Sequence, residues 1–185
     1  GFHFDDLLPS HFHFLRDIGK DLYETEYAKI RTRLKKHKIR GLLRTKAKAL
    51  EALIGDDMQT TLNLLEGIST GAIDQPSSGK MPAIMSYVMI HWALDTTEQL
   101  EGYGFPFDCP HVIFYQRLKT LYGLVDTADY SHFDKRFFNL WRPLNKIMDD
   151  QQLTSSIKQI EKKMAIFIGE GLWRSALRKK ARAGR

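Results

Sequence analysis

The segment KIRTRLKKHKIRGLLRTKAK, Lys29 to Lys48, decides the fold because two apolar patterns meet inside it. The first pattern consists of Tyr23, Tyr27, Ile30 and Leu34, and the second of Ile39, Leu42, Leu43, Leu50, Leu53 and Ile54. On a continuous helix the second pattern would be rotated by roughly 160° from the first, so one straight helix could not bury both on a single core. We therefore predict a break between Lys36 and Gly41 that separates two amphipathic helices. The alternative is a continuous helix covered on opposite sides by different partners.

The same segment, called the basic segment below, holds ten Lys and Arg residues, one His and no acidic residue. A second run of six Lys and Arg residues, again without an acid, lies between Arg174 and Arg185. Together the two runs hold 16 of the 28 Lys and Arg residues and none of the 22 Asp and Glu residues, so the rest of the chain has a net charge of −10. This separation indicates either a basic surface that meets an anionic partner or neutralisation across an internal or subunit interface.

Most of the remaining apolar spacing is also helical. We interpret residues 1–17 as an arm or short turns docked by Phe2, Phe4, Phe12 and Phe14, with the first helix beginning at about Lys20. The stretch from Ile84 to Leu94 is apolar nearly all round, which predicts a buried central helix. Capping residues and prolines indicate four further helix starts, at Asp56 or Asp57, Pro82, Pro110 and Ser131. The helix after Ser131 is expected to be kinked at Pro143, and the last helix to begin after Thr154.

These elements predict an all-α fold, an irregular helical bundle of about six or seven helices. The segment 69–82 is rich in Gly, Ser and Pro and separates basic N-terminal helices, 20–68, from an aromatic-rich helical core, 82–185. We interpret residues 1–185 as a single helical domain in which 69–82 is a candidate internal boundary.

Composition limits the class of protein. Hydrophobic residues make up 43% of the chain, which is typical of a globular domain rather than of a disordered one. The single cysteine, Cys109, cannot form an internal disulfide, and the sequence has neither a leading hydrophobic signal peptide nor an apolar run of 18 residues. We expect a cytoplasmic protein without a membrane span.

Motifs that would name a reaction are missing from the sequence. Two pairs have spacings that metal ligands adopt in helical bundles, His91 with Asp95 and Asp129 with His132, and Cys109 and His111 lie between them in the sequence. No Glu-x-x-His motif, Walker loop or dinucleotide fingerprint accompanies them. We therefore predict no catalytic residue, metal ligand or cofactor, and interpret His91 as a core histidine that Asp95 or a backbone carbonyl satisfies. A helical-bundle enzyme or metal-binding protein is the less favoured alternative.

The basic runs are the feature that indicates a function. Lys and Arg on the solvent side of a helix neutralise nucleic-acid phosphates without reading the bases, so we predict a non-enzymatic module or accessory protein that binds DNA or RNA. The alternative is an interaction protein or oligomeric adaptor, including a homo-oligomer, whose basic helices dock on an acidic protein surface. An anionic membrane surface is less favoured, because the apolar stripe from Tyr23 to Leu34 is narrow for an interfacial helix. The predicted contact residues are Arg31, Arg33, Lys35, Lys36, Lys38, Arg40, Arg44, Lys48, Arg174, Arg178, Lys179 and Lys180.

Overall fold

A computed structural model describes the fold of residues 8–65, 78–96 and 110–183, and the side chains of residues 22–63, 79–96, 110–166 and 182. All regular structure in these ranges is helical, which confirms the predicted all-α bundle. The α-helices of these ranges are α1 (Leu8–His37), α2 (Ile39–Ile54), α3 (Met58–Leu65), α4 (Met81–Leu94), α5 (Pro110–Thr127), α6 (Lys135–Phe138), α7 (Trp141–Met148) and α8 (Gln151–Ala183). Short 3₁₀ turns precede α3 at Gly55–Asp57 and α4 at Ser78–Lys80.

The predicted break lies at Lys38, between α1 and α2. Lys38 adopts the left-handed conformation, with φ of 54° and ψ of 27°, and its N–H donates to the carbonyl of Lys35 at 3.1 Å. A non-glycine residue in this conformation costs about 1–2 kcal/mol. The turn changes the direction of the chain, so that Leu34 before it and Ile39 after it are both buried. Burial of the first pattern and of most of the second offsets the cost of the strained residue, although Leu53 of the second pattern is 43% exposed.

Two long helix pairs organise the core. α1 packs along α8 and α2 along α4, while α5 contacts both α4 and α7. The helix predicted to be central, α4, buries Ile84, Tyr87 and Ile90 on one side, but Met81 and Met85 on the other are 39% and 41% exposed. This helix is therefore apolar all round yet buried on one side only.

The start of the first helix was predicted too late. α1 begins at Leu8, so residues 8–17 are helical and not an arm of short turns. Pro9 lies in the first turn, where backbone N–H groups have no acceptor within the helix. The lack of an N–H in proline therefore costs no hydrogen bond there, and the helix is not interrupted. The predicted docking of Phe2, Phe4, Phe12 and Phe14 lies outside the described side chains.

The region after α5 also differs from the sequence prediction. Asp134, and not Ser131, caps the next helix, since its carboxylate accepts the Arg136 N–H at 2.9 Å. That helix ends at Phe138 and α7 begins at Trp141. Pro143 therefore lies in the first turn of α7, and the predicted kink at this residue is wrong. The last helix begins at Gln151, before Thr154, with Asp150 accepting the Leu153 N–H at 3.2 Å. The division of one predicted helix into α6 and α7 adds one element to the bundle.

Helices from the two predicted halves of the chain contact each other, as α1 with α8 and α2 with α4 show. Lys80 adds a polar link, because its ammonium donates to the carbonyl of Ile54 at 3.0 Å. The candidate boundary at 69–82 falls largely outside the described residues, so its role stays a prediction.

Candidate functional site

The turn at Lys38 builds a concave surface together with the first turns of α5. Its cavity has a volume of about 580 Å³ and is called the basic pocket below. The pocket is lined by Arg31, Leu34, Lys35, Lys38, Ile39, Arg40, Gly41, His111 and Phe114. Four of the predicted contact residues are thus brought together by the break, two from α1, one from the turn and one from α2.

The charged side chains that line the pocket are all positive. Its lining within the described part of the chain contains four basic residues and no acidic one. Arg31 approaches Glu24 at 3.8 Å, but both side chains are more than a third exposed, so the pair adds little. Lys35 and Lys38 are exposed, and neither forms an ion pair with a described residue. Cations that line one pocket repel one another, and an anion bound there would reduce this repulsion.

The amino end of α2 adds to the positive potential. α2 has no side-chain N-cap, and the first N–H groups of a helix carry a partial positive charge. Gly41 lies in this first turn, and nothing comes within 4 Å of the place where its Cβ would be, so there is open space beside the helix at this position. Leu34, Ile39 and Phe114 also border the pocket, but they are buried and leave almost no apolar surface open to a ligand.

His111 is the one buried polar residue of the described lining. The side chain is 4% exposed and packs edge-on against the ring of Tyr27 at a centroid distance of 4.8 Å. Its Nδ1 has no hydrogen-bond partner among the described residues. Burial lowers the pKa of His111 to about 4, with the positive charges of Arg31 and Arg40 adding to the effect. The ring is therefore neutral at pH 7, and one of its nitrogens is unsatisfied.

The opposite flank of α1 is neutralised inside the chain. The side chain of Asp150 is 3% exposed, and its Oδ2 accepts a hydrogen bond from Arg33 Nε at 2.8 Å. The same oxygen lies 2.8 Å from His37 Nε2. Burial raises the pKa of Asp150, but hydrogen bonds from His37, Arg33 and the Leu153 N–H outweigh it and lower the pKa overall. Arg33 therefore has a buried acid of its own chain as partner, whereas Lys35 and Lys36 form no ion pair with a described residue.

The other contact residues predicted on α1 and α2 lie outside the pocket. Lys36 is exposed on the solvent side of α1. Arg44 and Lys48 are exposed on α2 and follow Arg40 at steps of four residues, so the three form a basic row that runs from the pocket along about 12 Å of helix. None of Lys36, Arg44 and Lys48 forms an ion pair with a described residue.

The C-terminal basic run continues α8. Arg174, Arg178, Lys179 and Lys180 lie on this helix, whose backbone is described as far as Ala183, but their side chains fall outside those described. A second cavity of about 550 Å³ lies between α1 and α8 and is lined by Lys29, Arg33 and neutral residues such as Ser155. Because Arg33 is bound by Asp150, this cavity presents much less free charge than the basic pocket.

His91 differs from its predicted surroundings. The side chain is half-buried and lies beside the ring of Tyr87 at 5.6 Å, and no described residue forms a hydrogen bond with its imidazole. Asp95 donates its backbone N–H to the carbonyl of His91 instead. The described residues include no group of three or more His, Cys, Asp and Glu side chains that could hold a metal ion.

Comparison with known proteins identifies no relative: no family model, curated protein or solved structure matches the chain. Among the described helices, none combines the length and apolar character needed to cross a membrane. Function must therefore be inferred from the side chains at the helix break.

Proposed function

We propose that this protein binds nucleic acid through the phosphate backbone, as a non-enzymatic module or accessory protein, with the α1–α2 break as its contact surface. The observation that carries the proposal is the set of exposed cations without an acidic partner in the described chain: Lys35, Lys36, Lys38, Arg44 and Lys48. Leaving such a cluster unpartnered costs stability, and a polyanion removes that cost while releasing its own counterions.

The arrangement of these cations suits a phosphate chain better than one isolated anion. The basic pocket concentrates charge at one end, and the row formed by Arg40, Arg44 and Lys48 extends it along α2. The uncapped amino end of α2 offers backbone N–H groups to the same anion. Contacts of this kind position a phosphate backbone and read no bases, so sequence preference is expected to be weak.

A second candidate function is docking of the basic helices on acidic protein, either a partner or another copy of this chain. The contact between Arg33 and Asp150 favours it, because it shows that one cation of the segment already uses a carboxylate as its counter-charge. The exposed cations would then meet further carboxylates across an interface.

Titration of labelled mixed-sequence DNA and RNA, each at two salt concentrations, tests the first function, and light scattering on the same samples tests the second. Nucleic-acid binding predicts an affinity that falls steeply with salt while the protein keeps its mass. Docking on a second copy predicts a salt-sensitive oligomer and no saturable binding to either nucleic acid. The second result would replace the first function by the alternative.

A further inference from the structure

We infer that the surface where the end of α5 meets α7 binds arginine side chains from a basic segment of another protein. This surface, called the aromatic surface below, consists of Tyr122, Asp126, Tyr130 and Trp141. Asp126 lies about 22 Å along α5 from His111, so the aromatic surface is separate from the basic pocket. The inference goes beyond the proposed function and does not depend on it.

Two aromatic side chains of this surface are exposed. Tyr130 is 81% exposed and Trp141 is 41% exposed, although most of the area of such side chains is usually buried. The ring of Trp141 lies beside that of Tyr122 at a centroid distance of 6.4 Å, and the ring of Tyr130 packs on Phe138 at 4.5 Å. Exposed aromatic faces of this kind are typical of interaction sites.

Hydrogen bonds hold the aromatic side chains in place without a partner. Trp141 Nε1 donates to Asp126 Oδ1 at 3.0 Å, which fixes the plane of the indole ring. The hydroxyl of Tyr122 donates to Asn145 Oδ1 at 2.9 Å and joins α5 to α7. Because these side chains are already ordered, a partner that binds them loses less conformational entropy.

The charge beside the aromatic rings is negative. Asp126, Asp129 and Asp149 are exposed, and none of them forms an ion pair with a described residue. The Ser131 N–H donates to Asp129 Oδ1 at 2.8 Å and lowers the pKa of Asp129, so this carboxylate is ionised at pH 7. Asp149 is linked to the surface through Asn145, whose Nδ2 donates to Asp149 Oδ2 at 3.2 Å.

Cations of the same two helices do not cancel this charge. Arg142 and Lys146 are rotated by about 100° and 140° from Trp141 around α7, so they belong to its other flank. Lys119 lies two turns before Asp126 on the same side of α5. One lysine therefore stands against three carboxylates.

Aromatic faces beside free carboxylates match the chemistry of arginine. A guanidinium can lie on an aromatic ring while its N–H groups bind a carboxylate. The protein already contains one contact of the first kind, since the Arg117 guanidinium lies 4.9 Å from the centroid of the Trp92 ring. The carboxylates would repel a phosphate chain, and an apolar partner would bury them without a counter-charge. These arguments favour a basic protein segment as the occupant.

The test is a calorimetric titration of the full chain at low salt with a short capped peptide of alternating arginine and glycine, with the Trp141 indole N–H followed by NMR. A matched peptide with citrulline in place of arginine keeps the shape of the side chain without its charge. We expect saturable binding of the arginine peptide, at least about tenfold weaker binding of the citrulline peptide, and a shift of the Trp141 signal. Equal affinity for both peptides, or no saturable binding of the arginine peptide, would overturn the inference.

Two double variants with the same change in net charge locate the site. D126N/D129N keeps the shape of both side chains and should weaken binding of the arginine peptide at least about tenfold. D56N/D95N, at exposed positions outside the aromatic surface, should change it less than about twofold. Trp141→Leu should weaken it about fivefold, because the aromatic face is lost. Equal losses in the two double variants would contradict the assignment.

Other occupants give different results. A dimer in light scattering that Trp141→Leu dissociates would assign the aromatic surface to a second copy of the chain. A loss of affinity for single-stranded DNA in the same variant would assign it to nucleic acid, and either result would overturn the inference. K35Q/K38Q should lose affinity for nucleic acid but keep affinity for the arginine peptide, so the proposed function and this inference can fail separately.

Discussion

Arg33 Nε lies 2.8 Å from Asp150 Oδ2, which joins the last turns of α1 to the start of α8 across 117 residues of sequence. The same oxygen contacts His37 Nε2. This pair divides the basic segment into two functional sides. Arg33 and His37 on one side of α1 are neutralised within the fold, whereas Lys35 and Lys36 are exposed and form no ion pair with a described residue.

The first prediction concerns that pair. Asp150→Asn keeps the shape of the side chain but removes the charge that Arg33 and His37 share, and we expect a loss of about 2–3 kcal/mol in the free energy of unfolding. Urea unfolding of the parent protein and the variant measures this difference in the free energy of unfolding. Asp149→Asn, at the exposed neighbouring position, should change stability by less than about 0.5 kcal/mol. Equal effects of both substitutions would show that Asp150 contributes no specific charge pairing.

The second prediction concerns pH. The pKa of His111 is about 4 in the fold and 6.5 in its ordinary state, so between these values the unfolded chain binds a proton that the folded chain does not. Acidification from pH 6.5 to 4 should therefore lower the free energy of unfolding. His111→Gln should flatten this part of the stability profile, while His132→Gln, at an exposed position, should leave it unchanged. A profile that is unaltered in the His111 variant would contradict the burial of a neutral ring.

The third prediction concerns the break. Lys38 has a φ of 54°, which glycine adopts without steric cost, so Lys38→Gly should raise the free energy of unfolding by about 0.5–1 kcal/mol. Lys29→Gly removes the same charge from an exposed position in the interior of α1 and should lower it by about 1 kcal/mol. Thermal or urea unfolding of the two variants gives the comparison. Losses of the same size would mean that position 38 is helical in solution.

The helix break could be predicted because it depends on local spacing. Leu34 and Ile39 belong to patterns of different phase, and burying both requires a turn wherever the chain can make one. The early start of α1 was missed for a local reason as well, since Pro9 looks like an interruption but is tolerated in a first turn.

The partners of the basic residues could not be predicted from the sequence. Nothing in the sequence distinguishes Asp150 from Asp149, and only the packing of α8 on α1 places one of them against Arg33. The role of His111 has the same origin, because it depends on how α5 meets the turn between α1 and α2. The charge of the site could be predicted from the sequence. The concave shape of the site and the unsatisfied Nδ1 of His111 arise from tertiary packing.

The central claim is that the unpaired cations of the break bind nucleic-acid phosphates, and the salt dependence of affinity in one double variant tests it most directly. K35Q/K38Q should bind mixed-sequence duplex or single strands more weakly and reduce the slope of log affinity against log salt by about two units, one for each lost phosphate contact. The control K146Q/K158Q removes two exposed lysines from α7 and α8 and should leave the slope unchanged. An equal change in both variants, or no detectable binding of the parent protein at low salt, would contradict the claim.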